Sequence, residues 1–184
     1  MNKRYTLIIP FNAESEAKVD ELKNKAKKEL GLHQINKVPL FVENRGNVDA
    51  LPSHITLYVW NDCEGLIPKL EEIIRNFSQI IIPIVGVGCS TNDKMSANIL
   101  FLEPDSKKLY EMNKSLHGVH SSTYKTPEEW EPHCSIMIDE NPDVIKQVEK
   151  VISTNFKPFS IIADKLLLCE IYPMKLVKTF HLKK

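Results

Sequence analysis

The stretch PSHITL at residues 52–57 and the stretch EPHCSI at residues 131–136 share one pattern, and this pair decides the predicted fold. In the first, His54 lies two residues after a proline; in the second, His133 directly follows one. In both, a residue with a hydroxyl group lies two positions after the histidine. Because side chains alternate between the two faces of a strand, His54 is expected to share a face with Thr56, and His133 with Ser135. The intervening residues are apolar and can pack beneath helices. The sequence therefore predicts two matching strands, each with a polar face that carries a histidine and a hydroxyl.

The two stretches occupy equivalent places in a repeated order of elements. Period-two alternation predicts strands at Tyr5–Phe11, His54–Trp60, Ile80–Val87, Asn98–Leu102, His133–Asp139, Ser160–Tyr172 and Leu176–Leu182. Helical spacing of apolar residues predicts helices within Val19–Leu30, Leu66–Phe77, Leu109–Leu116 and Val144–Ile152. The order β-α-β-α-β thus occurs twice, with one strand appended, which predicts an internal duplication. We expect one bilobal domain over residues 1–184, with lobes of approximately residues 1–91 and 92–184.

Composition excludes several other classes of protein. The 24 Lys and Arg residues balance the 24 Asp and Glu residues, so no broad field attracts extended nucleic acid or an anionic membrane. The longest apolar run, Ile80–Gly88, is too short to span a membrane. The four cysteines form no CxxC pair, which favours buried free thiols in a reducing compartment. We expect a cytoplasmic monomer that contacts no membrane.

The paired histidines and hydroxyls suit chemistry on a phosphodiester. An ordinary histidine pKa of about 6.5 allows one ring to be neutral and the other protonated near neutral pH. The neutral ring can accept a proton from an attacking water or hydroxyl, and the protonated ring can give one to the leaving oxygen. The hydroxyls can donate hydrogen bonds to phosphate oxygens. We therefore predict a catalytic set of His54, Thr56, His133 and Ser135 that needs no metal and no other cofactor.

These motifs and the duplicated order resemble the two-histidine (2H) phosphoesterases, the LigT-like 2'-5' RNA ligase and cyclic phosphodiesterase superfamily with its HxTx motif. The resemblance implies an α+β fold of duplicated β-α-β-α-β halves, in which two antiparallel sheets flanked by helices surround a central cleft. It also implies metal-independent hydrolysis of 2',3'-cyclic phosphate or 2'-5' phosphodiester groups. The substrate would be a small nucleotide or an RNA end. The long irregular stretch from Gln34 to Ser53 departs from the family pattern and leaves the choice of substrate open.

Three residues are candidates for binding the substrate. Tyr124 and Trp130 precede the second motif, where similar enzymes often place an aromatic residue that stacks on a base. The alternative is that both are core or interface aromatics. Arg45 in the irregular stretch could pair with a phosphate, although most loop arginines are solvated. Trp60 is expected on the same face as His54, but a core role at the end of the strand is the preferred interpretation.

Other features have simpler interpretations. His117 and His120 could form a metal pair, but exposed histidines at a helix end are favoured. The Gly86-Val87-Gly88 segment is interpreted as a turn that ends a strand, not as a phosphate loop. The lysines between Lys18 and Lys28 are interpreted as a solvated helix face.

Two alternative functions stay open. One is a catalytically inactive module that binds a nucleotide or an RNA end in the same cleft. The other is metal-dependent hydrolysis with His54, His133 and an acidic residue as ligands.

Overall fold

A computed structural model of the protein describes residues 3–33, 35, 39–42, 46–62, 64–92, 97–119, 125–171 and 174–184. These residues form ten strands and four helices. The four helices overlap the predicted ranges, whereas the strands Pro39–Val42 and Gly46–Ala50 correct the interpretation of Gln34–Ser53 as irregular. In chain order the elements are β1 Arg4–Pro10, α1 Ala13–Leu30, β2 Pro39–Val42, β3 Gly46–Ala50, β4 His54–Trp60, α2 Leu66–Ile74, β5 Ile80–Asn92, β6 Ala97–Pro104, α3 Lys107–Leu116, β7 Cys134–Asp139, α4 Pro142–Asn155, β8 Phe159–Ala163, β9 Lys165–Ile171 and β10 Lys175–His181.

The strands form two sheets, and each motif strand lies at an edge of its sheet. The first sheet has the order β3-β2-β10-β9-β1-β4, and the second has the order β7-β6-β5-β8. Every described strand pair is antiparallel except β2 with β10. The edge strands β4 and β7 contact each other, so the two histidine motifs meet where the sheets adjoin. The predicted α+β fold with two sheets flanked by helices is confirmed.

The two halves of the chain exchange strands, so the two sheets do not coincide with the predicted lobes 1–91 and 92–184. Strand β5 belongs to the first half by sequence but pairs with β6 and β8 in the second sheet. Strands β9 and β10 belong to the second half but lie in the first sheet beside β1. The predicted single strand Ser160–Tyr172 is therefore two strands, because the chain passes from one sheet to the other at Asp164. Each sheet is thus built from both halves.

A β-bulge occurs at the same place in both motif strands. Thr56 pairs with Ile8 and Tyr58 pairs with Leu7, so Leu57 is the additional residue of β4. In the second sheet, Ser135 and Met137 pair with consecutive residues of β6, so Ile136 is the additional residue of β7. A bulge breaks the strict alternation of side chains along a strand. The two halves therefore share a register shift directly after the histidine-x-hydroxyl triplet.

The first bulge corrects the predicted orientation of the end of β4. After Leu57, Tyr58 and Trp60 turn toward the core cluster that also contains Ile55, and Trp60 is fully buried. Their rings are 4.8 Å apart between centroids. Trp60 therefore does not share the face of His54, and its preferred interpretation as a core residue is confirmed.

The helix ends follow their local sequence signals. Asn12 caps α1 by accepting a hydrogen bond from the backbone N–H of Ser15 at 3.1 Å, and Gly31 ends the helix at φ 65°. Asn141 caps α4 just before Pro142 by accepting a hydrogen bond from the backbone N–H of Asp143. Gly86 and Gly88, in contrast, lie inside β5 and do not form the turn that the sequence suggested.

Shortening Trp60 tests its place in the core. Trp60→Ala is expected to lower the free energy of unfolding by about 3–5 kcal/mol, because it leaves a large cavity. Trp60→Phe keeps an aromatic ring and removes an indole N–H that has no hydrogen-bond partner among the described residues, so its loss should be clearly smaller. Urea unfolding measures both. A Trp60→Ala variant that unfolds like the wild type would show that the ring is not a core residue.

Candidate active site

The two motif histidines are held in the same way. The Nδ1 atom of His54 is 2.9 Å from the backbone carbonyl oxygen of Pro52, and that of His133 is 2.9 Å from the carbonyl oxygen of Glu131. A carbonyl oxygen only accepts, so Nδ1 donates in both rings. In a neutral ring this fixes the proton on Nδ1 and leaves Nε2 as the nitrogen that can take a proton. The two halves therefore share the histidine and also the hydrogen bond from Nδ1 that orients its ring, which we call the tether.

The structure brings the four predicted catalytic residues to the junction of the sheets. His54 and Thr56 lie on β4, His133 directly precedes β7, and Ser135 lies on β7. The Ser135 side chain is exposed, and those of His54, Thr56 and His133 are half-buried. His54 and His133 are close enough for the charge of one to affect the pKa of the other. Two imidazoles and two hydroxyls thus lie at the junction of the two sheets.

The surroundings of His54 favour its neutral form. Burial is the largest effect and lowers the pKa of His54, because a charged ring loses solvation. The hydrogen bond to Pro52 and the carboxylate of Glu16 act in the opposite direction, and the positive charges of His133 and Lys23 lower the pKa further. The net effect is a pKa below the ordinary histidine value. At neutral pH His54 is therefore available as a proton acceptor.

Helix α1 supplies two charged groups behind His54 that the sequence analysis missed. Glu16 accepts a hydrogen bond from the backbone N–H of Ser53 at 2.8 Å and so fixes the entry to β4. Lys23 is 7% exposed, which corrects the interpretation of all these lysines as a solvated face. Lys23 stands four residues after Val19 and three before Ala26, both fully buried. This spacing places Lys23 on the apolar stripe and could have identified it.

Two side chains hold the backbone of β4 at its bulge. Asn113 of α3 donates from Nδ2 to the carbonyl oxygen of Leu57 at 2.7 Å. The indole Nε1 of Trp130 donates to the carbonyl oxygen of Thr56 at 3.3 Å. Both carbonyls belong to an edge strand and find no partner strand on that side among the described residues. The sequence analysis missed Asn113, although its place between Leu109 and Leu116 on the apolar stripe of α3 was a signal.

The predicted stacking of Trp130 on a base is corrected. Its side chain is 2% exposed, and its ring packs against Tyr110 with centroids 5.5 Å apart. The indole is too deeply buried to offer a face to a ligand, so the alternative interpretation as a core aromatic is confirmed. The other two predicted substrate-binding residues, Tyr124 and Arg45, lie outside the described residues.

The metal and thiol candidates have structural explanations. Nδ1 of His117 is 3.1 Å from the hydroxyl of Tyr58, and His120 lies outside the described residues. The described part of the chain contains no group of three His, Cys, Asp or Glu side chains that could hold a metal ion. Burial raises the pKa of the Cys134 thiol to about 12, so this thiol between the two motif residues stays protonated. Cys169 is also buried, whereas Cys89 is exposed.

Comparison with known proteins identifies the family. Residues 13–171 match the model of the 2'-5' RNA ligase superfamily, and the chain belongs to this superfamily of two-histidine phosphoesterases. A search of curated protein sequences finds no match. None of the described helices is long and apolar enough to cross a membrane.

Solved structures with low sequence identity share the fold. The chain resembles TT0787 of Thermus thermophilus with a TM-score of 0.59 and 12% identity, covering 98% of each chain. It resembles E. coli LigT complexed with 3'-AMP with a TM-score of 0.55 and 12% identity, covering 100% of each chain. It also resembles Kluyveromyces marxianus Usb1 with uridine monophosphate, with a TM-score of 0.56 and 12% identity, covering 100% of this chain and 98% of Usb1. The predicted LigT-like fold is thereby confirmed.

The contact between Asn113 and the bulge can be tested by a substitution of similar size. Asn113→Leu removes the donor to the buried Leu57 carbonyl and is expected to lower the free energy of unfolding by about 1–3 kcal/mol. Lys114→Leu, at an exposed position of the same helix, should change it by less than about 0.5 kcal/mol. Chemical denaturation measures both variants. Equal stability of Asn113→Leu and the wild type would contradict a role of this hydrogen bond.

Proposed function

We propose that the protein is a metal-independent phosphodiesterase that acts on 2',3'-cyclic phosphate or 2'-5' phosphodiester groups of small nucleotides or RNA ends. The single observation that best supports this proposal is the identical tether of the two motif histidines, which leaves Nε2 of each ring free for proton transfer. Membership of the two-histidine phosphoesterases supports the reaction class. The relatives crystallised with 3'-AMP and with uridine monophosphate support a nucleotide-sized ligand.

The lowered pKa of His54 suggests which histidine is the base. Neutral His54 accepts the proton of an attacking water through Nε2 while the water oxygen forms a bond to phosphorus. Protonated His133 gives its Nε2 proton to the leaving ribose oxygen as the phosphorus–oxygen bond breaks. Thr56 and Ser135 donate hydrogen bonds to the non-bridging oxygens, where negative charge increases in the transition state. Exchange with solvent then restores both rings to their starting protonation states.

A neutral molecule suits this substrate class. The formal net charge is zero, so the phosphate must be bound by local groups and not by a broad positive surface. We propose that the protein works as a cytoplasmic monomer on short ends or free nucleotides, without a cofactor. Extended nucleic acid is not expected to bind.

Replacing either histidine tests the proposal directly. His54→Asn and His133→Asn are each expected to lower turnover of 2',3'-cyclic nucleotides by about 10²–10⁴-fold, because general acid–base catalysis is lost. His181→Asn, at an exposed position of β10, is the control and should leave turnover unchanged. EDTA should have no effect. Product analysis uses the four cyclic nucleotides together with 2'-5' and cyclic-ended oligonucleotides.

Two results would contradict this assignment. If none of these substrates is hydrolysed, the proposed reaction is wrong, and saturable binding of a nucleoside 2'-phosphate would then indicate an inactive binding module. If EDTA abolishes turnover and a divalent metal restores it, the reaction depends on a metal and not on the two histidines alone.

The pH profile tests the assignment of the base. His54 must be neutral to accept a proton, so kcat/KM should rise with pH through the pKa of His54 and be lost below it. Because burial lowers that pKa, activity should persist to a lower pH than an ordinary histidine allows. The carboxylate of Glu16 raises the pKa of His54, so Glu16→Gln should move the acidic limb to still lower pH while an amide oxygen can still accept from Ser53. An unchanged limb in Glu16→Gln would show that another group limits the rate in acid.

A further inference from the structure

The second sheet carries an unusual surface beside the second motif. Ser135 on β7 pairs with Phe101 on β6, and Phe101 pairs with Gly88 on β5. Two residues further along β6, Glu103 pairs with Gly86. Directly paired residues point to the same face of a sheet, so Phe101 and Glu103 lie on the face that carries Ser135. This face is adjacent to the proposed phosphate site.

The two glycines of β5 leave the space in which these side chains lie. A Cβ atom on Gly88 would be 2.5 Å from Oε1 of Glu103 and 2.8 Å from Cε2 of Phe101. A Cβ atom on Gly86 would overlap Oε2 of Glu103. Neither glycine is among those with positive φ, so the requirement is for space and not for backbone conformation. The carboxylate therefore lies flat over a floor of two glycines, with one oxygen above each.

The equivalent face of the first sheet is filled. There, Thr56 pairs with Ile8, and Ile8 pairs with Leu167. Both apolar residues are buried in a small cluster that also contains Leu51 and Cys169. Leu167 thus occupies the place that Gly88 has in the second sheet. The duplication left a closed surface next to the first motif and an open one next to the second.

The open surface has the chemistry and the dimensions of a base site. The half-buried ring of Phe101 is 5.5 Å from the His133 ring between centroids, at an angle of 54°. Aromatic side chains support unstacked bases in this way. The glycine floor is two strands away from β7, or about 10 Å, since neighbouring strands are about 4.8 Å apart. A nucleotide whose phosphate lies at His133 and Ser135 can therefore extend its base over Phe101 to Glu103.

We infer that Phe101 and Glu103, placed over Gly86 and Gly88, bind the base of the substrate and select guanine. The inference rests on the proposed function, because that function places the phosphate next to Phe101. An ionised carboxylate only accepts hydrogen bonds, and guanine presents two neighbouring donors, N1–H and the N2 amino group, that match its two oxygens. Adenine and cytosine offer an amino group next to an acceptor. Uracil offers one N–H between two carbonyls, which repel a carboxylate.

Comparison of guanosine and uridine 2',3'-cyclic phosphates tests the inference. The wild type should have a kcat/KM at least about tenfold higher for guanosine, since a bidentate pair discriminates bases by this order or more. In Glu103→Gln, the amide oxygen can accept from uracil N3–H while its amino group donates to a uracil carbonyl. The preference should therefore fall at least about tenfold or reverse in favour of uridine. Glu72→Gln, an exposed carboxylate on α2, is the matched control and should keep the wild-type ratio.

The possible results distinguish a failure of the base-site inference from a failure of the phosphodiesterase proposal. Equal kcat/KM values for the two substrates, or an unchanged ratio in Glu103→Gln, overturn the base site while leaving the phosphodiesterase assignment in place. If nothing is turned over, calorimetric titration with guanosine and uridine 2'-monophosphates decides. Tighter binding of the guanosine compound that is lost in Glu103→Gln supports the base site without catalysis. Equal binding, or no binding of either compound, overturns it.

Discussion

The β-bulge after each histidine-x-hydroxyl triplet is the constraint on which the candidate site depends. Before the bulge, His54 and Thr56 face the junction of the sheets; after it, Tyr58 and Trp60 face the core. Without the shift, two large aromatic rings would share the polar face with the histidine. Among the described residues, the Leu57 carbonyl at the bulge accepts its hydrogen bond from the buried Asn113 side chain. The same backbone irregularity therefore sets both the placement of the candidate site residues and the packing of the core.

Strand exchange makes the two halves mutually dependent. Strand β5 completes the sheet of the second motif, and β9 completes the sheet of the first. Each sheet contains strands from both halves, because β9 pairs with β1 and β5 pairs with β6. The exchanged strands therefore link the two sheets, and the edge strands β4 and β7 contact each other where the sheets adjoin. The proposed reaction needs such a fixed arrangement, because both histidines would act on one phosphate.

Features that depend on local residue spacing could be predicted from the sequence. Features that depend on residues far apart in the chain could not. Alternation placed His54 with Thr56 and His133 with Ser135, and helical spacing identified all four helices. The bulge was not predictable, since register shifts arise from pairing with β1. The sequence left two interpretations of Trp130 open for the same reason, because its indole donates to a carbonyl 74 residues away. Lys23 could have been identified from the sequence, because its helical spacing from Val19 and Ala26 places a charged residue on the buried face of α1.

The two halves share the histidine motif, and the residues around the two histidines differ. Both imidazoles keep the same tether through Nδ1, so the motif alone cannot distinguish acid from base. The distinction comes from the neighbours: burial, with Glu16 and Lys23 of α1, acts on His54, whereas Phe101 contacts the ring of His133. Apolar residues close the face beside the first motif, and glycines open the face beside the second. In the proposed reaction, this asymmetry would place the larger part of the substrate over the second sheet.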